Sequence, residues 1–445
     1  MNYKPKDIKN ILLSIINHQK ENLSGFVTNP QKDFSRNRKI PYEKLMLSLL
    51  TMEGATLTNE LLRQFGCDEN IASSSAFVQQ RKKLLPEAVE KLFHDFTKET
   101  EYTVTFNGYR LFAIDGSDIQ IATNLNDTDS LFNTRDGTKP YNLLHLNAIY
   151  DVMTHTYKDA VVFKKKTGNE NKALVRMVDR STLSGKVIVI ADRGYEAYNN
   201  MAHIQEKGWN YLIRIKDFQN YSSGILHGLE LPKEKDFDEY IDLKLTKKQT
   251  NEVKELLKDK NHYRLIGHSK PFDYLPETSR KNDRTIFYNL PFRVVRFPIT
   301  NDSYEVVVTN LSKDEFPPEI IKQLYAMRWS IETSFRDLKY TIGLLHFHSK
   351  KEEYILQEIF ARLTMYNFSE LITSHVIIKK RNRKHTYKVN FSVAAHICRE
   401  FLLGKCIPSN IEAIIARYIT PIRPGRSRPR DMRIKQAISF MYRVA

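Results

Sequence analysis

Cysteine is scarce in this sequence of 445 residues. Only Cys67, Cys398 and Cys406 occur, and they are too few and too irregularly spaced for a disulfide framework or a zinc site. We therefore expect a protein without covalent cross-links that works in a reducing compartment such as the cytoplasm.

Long apolar segments are absent as well. No run reaches the roughly 18 consecutive apolar residues of a membrane-spanning helix, and residues 1–20 lack the apolar core of an export signal. We also find no glycine-rich loop of the kind that cradles nucleotide phosphates. The sequence predicts no membrane association, no export and no use of ATP, while an apolar content of 41% allows a sizeable core.

Positive charge dominates the sequence and is concentrated near its end. Of a formal net charge of +17, residues 379–445 carry +13, from sixteen Lys and Arg against three acidic residues. Two clusters, at 379–384 and 423–430, supply most of this excess. Such clusters are typical of proteins that bind a polyanion through its phosphates.

The second cluster predicts an extended arm. Its prolines and glycine make it a poor helix former, so Arg426, Arg428 and Arg430 could follow a groove of nucleic acid. The alternative is a solvated basic tail without a partner.

One predicted helix, Leu324 to Lys339, carries both acidic and basic side chains. At about 100° per residue, Tyr325, Arg328, Glu332 and Lys339 fall within an arc of about 60°, beside an apolar stripe that can pack on a core. An acid between cations suits a metal-dependent phosphodiester enzyme, because the acid can hold a divalent ion and the bases can hold phosphates. The alternative is a set of ordinary ion pairs between residues four apart on a solvated face.

Two aspartates follow predicted strands. The strand at 109–114 ends in Asp115, and the β-branched strand at 186–191 ends in Asp192. Carboxylates at the ends of neighbouring strands can be aimed at one point, although an Asp-Gly pair is by itself only a turn signal. Asp118 is the rival for the first acid, because it would point the same way as Asp115 only if the chain were irregular at Gly116.

The order of elements provides a separate indication. The hydrophobic pattern predicts strands at 109–114, 144–150 and 156–163, a helix at 169–180, a strand at 186–191, a helix at 198–207 and a strand at 211–215. This order of three strands, helix, strand, helix and strand predicts an α/β core.

Two motifs resemble those of a known family. Tyr325-x2-Arg328-x3-Glu332-x6-Lys339 is similar to the Tyr-Arg-Glu-Lys motif of bacterial insertion-sequence transposases of the "four" family, which are DDE enzymes. Asp192-Arg193-Gly194-Tyr195 resembles the second motif of that family, and the Pro-Gly-Arg arm is similar to its usual C-terminal end.

The resemblance implies an α/β fold: a ribonuclease-H-like catalytic core interrupted by a β-rich insertion, with a helical N-terminal domain and a basic helical C-terminal region. The expected units are a helical DNA-binding domain (1–103), the first part of the core (104–216), the insertion (217–315), the second part of the core with the Glu332 helix (316–372) and the basic region (373–445). In the N-terminal domain, Gln79, Gln80 and Arg81 are the first places to look for base contacts.

The resemblance also implies the site. Asp115, Asp192 and Glu332 are expected to be catalytic and to hold two Mg²⁺ or Mn²⁺ ions, since hard oxygen ligands suit these metals. The expected DNA-binding residues are Tyr325, Arg328, Lys339, Arg193, Arg336, Arg426, Arg428 and Arg430. The partner is double-stranded DNA, at the terminal repeats of an element and at its target.

We expect a dimer when two ends are paired, in the bacterial cytoplasm at the nucleoid. If the cleaved DNA end forms a hairpin, a flipped base would need a flat apolar side chain of the insertion beside it. Trp209 and Trp329 both lie outside the insertion, so a Phe or Tyr would have to take this role or no hairpin would form. Two alternatives remain open: a plain metal-dependent nuclease, and a transposase-derived DNA-binding protein without catalysis.

Overall fold

The computed structural model describes residues 3–36, 38–67, 69–133, 139–217, 224–232, 234–276, 286–300, 303–379, 385–406 and 410–422. Residues 380–384 of the first basic cluster, and Arg426, Arg428 and Arg430 of the arm, lie outside these ranges. What the sequence indicates for them stays a prediction. Within the described ranges, no helix combines the length and apolar character needed to cross a membrane.

One large mixed sheet organises the fold. Its strands are β1 (Arg110–Ile121), β2 (Leu131–Phe132), β3 (Tyr141–Asp151), β4 (Thr156–Lys164), β5 (Val187–Ala191), β6 (Asn210–Ile215), β7 (Phe237–Thr246), β8 (Tyr263–Leu265), β9 (Tyr288–Thr300) and β10 (Ser303–Thr309). They lie in the order β2-β3-β1-β5-β6-β10-β9-β7-β8, with β4 also paired to β3. β1, β5 and β6 run parallel, whereas β3 and β10 join them antiparallel. The predicted α/β class is confirmed.

Helices cover both faces of this sheet. They are α1 (Pro5–Glu21), α2 (Tyr42–Thr51), α3 (Leu57–Phe65), α4 (Ser74–Arg81), α5 (Pro86–Glu99), α6 (Glu170–Arg180), α7 (Tyr198–Glu206), α8 (Asn251–Leu256), α9 (Pro318–Met327), α10 (Trp329–Tyr340), α11 (Glu352–Thr373), α12 (Phe391–Leu402) and α13 (Ile411–Ile415). A two-stranded ribbon, β11 (Tyr387–Val389) and β12 (Ile419–Pro421), lies apart from the main sheet.

Alternation along the strands creates two cores. In β1, Leu111 and Ala113 pack into a first core with α1, α2, α5 and α11, while Phe112 and Ile114 pack into a second core with α6 and α7. β5 is buried at every position, as its short β-branched run predicts for a strand covered on both faces.

The segment after β6 continues the same sheet. β10 pairs with β6, β9 pairs with β10, and β7 pairs with β9. The sequence predicts strands at 262–268, 284–288, 292–297 and 304–310 here, with a break at Pro291. The structure has β8 within the first and β10 at the last, but β9 runs through Pro291 without the predicted break. Residues 284 and 285 lie outside the described ranges, and β7 was missed. Its acidic first half is largely solvent-exposed, so it lacks the continuous apolar run that marks a buried strand.

The sequence predicts a helical domain at 1–103 that is separate from the core. In the structure these N-terminal helices are not separate from the rest of the protein. Their buried side chains belong to the first core, where they meet α11. Arg81 is 2% exposed and bonds through Nε and Nη1 to Gln357 and Glu358, each at 2.8 Å. The interpretation of Arg81 as a base contact is therefore wrong, because its guanidinium is used inside the protein.

Candidate active site

Asp115 lies within a strand, not after one. β1 was predicted to end at residue 114 but continues to Ile121, with Asp115 opposite Ala148 of β3. The register with β3 is unbroken from Phe112 to Ile121. Because side chains alternate along a regular strand, Asp115 points to the face of Leu111 and Ala113.

Asp118 consequently points to the opposite face. It is the third residue after Asp115, and the strand is regular at Gly116. Its carboxylate instead contacts His145 Nδ1 at 2.5 Å and Lys165 Nζ at 2.8 Å. Asp115 is thus the better candidate for the first acid, and Asp118 belongs to a different cluster.

Asp192 is placed beside Asp115 by strand register. β1 and β5 are parallel, and Ile114 is the register partner of Ala191, so each aspartate is the next residue along its strand. Asp192 caps the short 3₁₀ turn Arg193–Tyr195, its Oδ1 accepting the N–H of Gly194 at 2.8 Å. This bond fixes the carboxylate at the carboxyl edge of the strand, as the sequence predicts.

The helix that carries Glu332 is interrupted at Arg328. One continuous helix was predicted, but α9 ends at Met327 and α10 begins at Trp329. Arg328 keeps helical angles (φ −52°, ψ −34°), yet its N–H bonds to the carbonyl of Tyr325, three residues back instead of four. The chain is therefore tightened by a 3₁₀ turn at the arginine.

Arg328 connects two of the three acids. Its Nη2 lies 2.6 Å from Glu332 Oε1, and its Nη1 lies 3.6 Å from Asp115 Oδ2. The residue is only 4% exposed. The ion pair between residues four apart is real, but it is not an ordinary surface pair, because the same guanidinium also reaches across to the strand.

The acids influence one another electrostatically. The pKa of Asp115 is raised from its ordinary 3.8 to about 7. Burial is the largest cause and the negative charges of Asp192 and Glu332 add to it, while the Gly116 N–H and Arg328 oppose the rise. The Asp115 carboxyl is thus influenced by the charges of both other acids.

The residues present suit a hard divalent cation. Three carboxylates offer only oxygen donors, which Mg²⁺ and Mn²⁺ prefer. A cation would offset the charges of Asp192 and Glu332, which add to the effect of burial on the pKa of Asp115. In the described part of the chain, no group of three or more His, Cys, Asp or Glu is arranged to hold a metal.

The expected DNA-binding residues divide into two groups. Arg193 and Arg336 are exposed. Tyr325, at 3% exposed, and Arg328 face the interior, and Lys339 is partly buried with its Nζ on the backbone oxygen of Asp118 at 2.9 Å. Burial lowers the pKa of Lys339. Roles for all five in DNA binding stay predictions.

Sequence reasoning missed the cluster around His145. His145, opposite Asp118 in the register, is 3% exposed and lies 3.4 Å from Glu170 at the start of α6. The available signal was a polar alternation in the apolar strand β3, where His145 and Asn147 occupy the face of Asp118.

Comparison with known proteins identifies relatives of this chain. The family model described as "Transposase DDE domain" matches residues 106–368, more than half of the chain. The transposases for insertion sequence elements IS231D and IS231E of Bacillus thuringiensis subsp. finitimus are each 22% identical to it. The matches cover 54% and 57% of this chain, and 52% and 55% of those proteins. The chain therefore spans about half the length of these relatives.

A solved structure is also similar in outline. The cryo-EM structure of the piggyBac transposase synaptic complex with hairpin DNA aligns with a TM-score of 0.44 and 10% sequence identity. The alignment covers 96% of this chain and 87% of that one. A TM-score at this level does not by itself establish a common fold.

Proposed function

This chain belongs to the family of transposases with a DDE domain, and from that premise we propose that it mobilises a bacterial insertion sequence of the "four" family. In this proposal the protein nicks the ends of the element and joins the freed 3′-hydroxyl to target DNA. The observation that carries it is that Arg328 contacts both Asp115 and Glu332, while the strand register puts Asp192 beside Asp115.

We further propose that the core is ribonuclease-H-like. Three antiparallel strands (β1, β3 and β4) are followed by α6, β5, α7 and β6, with β5 and β6 parallel to β1 or to each other. The core would comprise residues 104–216 and 316–372, interrupted by 217–315. Residues 1–103 and 373–445 would serve DNA binding from helices that share the first core.

Asp115, Asp192 and Glu332 would hold two Mg²⁺ or Mn²⁺ ions. When bound, such ions activate a water or a 3′-hydroxyl and stabilise the leaving oxygen of an in-line displacement. The protein's own part is to aim the three acids: Asp115 accepts the Gly116 N–H, Asp192 accepts the Gly194 N–H, and Glu332 is held by Arg328.

Arg328 has two tasks in this proposal. Before cations are bound, its charge offsets the repulsion between Asp115 and Glu332. With the cations in place, the guanidinium is free to hold a phosphate of the DNA end, which a planar fork does well. Lys339 and the exposed Arg193 and Arg336 would hold neighbouring phosphates, and Tyr325 would bond the DNA end.

The proposed partner is double-stranded DNA, bound by a dimer that pairs two element ends. The basic clusters after residue 379 would follow the phosphate backbone. We place this activity in the bacterial cytoplasm, at the nucleoid.

Strand transfer tests the proposal. Labelled duplexes from the DNA on both sides of the gene are incubated with protein, Mg²⁺ and a supercoiled plasmid. We expect nicking of one duplex end and insertion of its 3′-end into the plasmid. Glu332→Gln should abolish both steps while DNA is still bound, whereas Glu319→Gln, an exposed acid on α9, should change neither. Nicking without insertion would instead identify a plain nuclease.

A further inference from the structure

A polar cluster lies directly behind the two catalytic aspartates. It consists of Asp118, His145, Lys165 and Glu170, on the face of β1 and β3 that is turned away from Arg328. His145 is 3% exposed, with Asp118 at 2.5 Å on Nδ1 and Glu170 at 3.4 Å on Nε2. Lys165 Nζ lies 2.8 Å from Asp118 and 3.0 Å from His145 Nδ1, so the lysine joins the same cluster.

Glu170 reaches the turn that carries Asp192. A Cβ placed on Gly194 would collide with Glu170 Oε2 and would lie 3.1 Å from Asp192 Oδ1. The Glu170 carboxylate therefore lies against the backbone of Gly194, whose N–H holds the Asp192 side chain at 2.8 Å. This contact joins α6 to the catalytic turn.

His145 makes a similar contact with β1, the strand that carries Asp115. A Cβ placed on Gly116, the residue after Asp115, would collide with His145 Nε2 and lie 3.1 Å from Asn147 Oδ1. Gly116 and Gly194 both have negative φ, so backbone conformation does not require glycine at either position. At both positions, however, the side chains of His145 and Glu170 occupy the space that a Cβ would fill, so an added Cβ would displace them.

A plain capping role for Glu170 does not account for these contacts. Acids in the first turn of a helix interact favourably with its dipole, and Glu170 begins α6. A carboxylate serving only the dipole could point to solvent, whereas this one lies 3.4 Å from Nε2 of a buried histidine and touches the turn after β5. Burial alone would lower the pKa of His145, but Asp118 and Glu170 raise it above its ordinary value, which favours the charged partner that Glu170 needs.

We propose that Glu170, held by His145, is a positioning residue that fixes the Asp192–Tyr195 turn beside the strand carrying Asp115. The inference rests on the proposed function, since it concerns the same reaction. Glu170 acts through Gly194 and Asp192, and does not itself touch the reacting atoms. Removing such an outer contact from a metal site typically costs about 10- to 100-fold in activity.

Non-additivity tests the proposal. Gly194→Ala, Glu170→Ala and the double variant are compared for cleavage of the element end at saturating DNA, with Glu252→Ala, another first-turn acid, as the control. We expect each single variant to lower kcat about 10-fold or more at unchanged KM for DNA. The kcat of the double variant should be less than about twofold below that of Glu170→Ala alone. The carboxylate with which the added Cβ at position 194 would collide is already gone in that variant.

Hydrogen exchange of residues 187–198 supplies a readout that does not need catalysis. Glu170→Ala should increase exchange at Gly194 without lowering the melting temperature, and Glu252→Ala should not. Glu170→Gln replaces the alanine variant if that protein does not fold. The proposal is overturned if the losses in kcat of the two single variants multiply in the double variant. It is also overturned if the single variants raise only KM, or if hydrogen exchange at Gly194 is unchanged in Glu170→Ala. If the wild type does not cut, the proposed function fails while exchange still decides the role of Glu170.

Discussion

The guanidinium of Arg328 lies 2.6 Å from Glu332 and 3.6 Å from Asp115, so one buried cation joins an acid on a helix to an acid on a strand. This arginine places a positive charge between the two carboxylates. A bound cation would repel it. Metal binding and the position of Arg328 should therefore be coupled.

Trp329 can report this coupling. Its ring centre is 5.2 Å from the guanidinium of Arg328, and the residue is half exposed. We expect Mg²⁺ to cause a saturable change in tryptophan emission, because displacement of Arg328 alters the surroundings of the indole. The measurement is a fluorescence titration of the protein without DNA.

Two variants assign the fluorescence signal. Trp329→Phe should remove the change and leave the emission of Trp209, which is 3% exposed in the second core. Glu332→Gln should abolish the change while both tryptophans still emit. Emission that stays constant up to Mg²⁺ concentrations supporting cleavage would mean that Arg328 does not move.

The raised pKa of Asp115 predicts a pH-dependent stability. Its folded pKa of about 7 exceeds the ordinary 3.8, so the folded protein holds a proton that the unfolded chain releases between these values. The stability gained from this proton is complete below about pH 4 and is lost as pH rises through 7. In Asp115→Asn this loss should disappear.

Urea denaturation at pH 5 and pH 8, in a chelator, measures the effect. From pH 5 to pH 8, the wild type should lose on the order of 2–4 kcal/mol more free energy of unfolding than Asp115→Asn loses. Divalent cations should shrink the difference, because they stabilise the ionised carboxyl. If the free energies of unfolding of wild type and Asp115→Asn differ by the same amount at both pH values, Asp115 ionises normally in the folded protein.

Local pattern was sufficient to place Asp115 and Asp192 on strands. Asp192 follows a short β-branched run typical of a buried strand, and that strand ends where it was predicted to end. The strand of Asp115 was also predicted, because the residues before Asp115 are apolar, although β1 runs past that residue. The hairpin of β3 and β4 was recognised for the same reason.

Features that depend on distant parts of the chain could not be predicted. The 3₁₀ turn at Arg328 is accompanied by an ion pair to Asp115, more than two hundred residues away in sequence. Arg81 looks like any basic residue on a short helix, and only α11 shows that it is buried. Likewise, pairing of β10 with β6 makes the insertion part of the main sheet, and pattern alone does not reveal strand partners.

Arg81 should be a stability residue. It forms a buried ion pair with Glu358 at 2.8 Å and a second bond to Gln357, which join α4 to α11. Arg81→Ala leaves Glu358 buried without this partner and should cost about 3–5 kcal/mol in free energy of unfolding. The exposed neighbour Lys82, replaced by alanine, is the control. Weakened DNA binding at undiminished stability would restore Arg81 as a DNA contact.

The arginines of the C-terminal arm should contribute to DNA affinity through phosphates. Each phosphate contact by Lys or Arg lowers the slope of log K against log salt by about 0.9 on duplex DNA. Replacing Arg426, Arg428 and Arg430 together by alanine should therefore reduce the magnitude of that slope by about 2 to 3. The slope is obtained from fluorescence anisotropy of a labelled duplex at several salt concentrations.

Replacing the same three arginines by lysine is the matched control. Lysine keeps the charge, so the slope should stay at the wild-type value even if affinity falls through loss of the planar fork. A slope that is unchanged in the alanine variant would mean that the segment is a solvated tail. Three neutralised contacts would weaken binding similarly on element ends and on unrelated duplexes, because phosphates carry no sequence information.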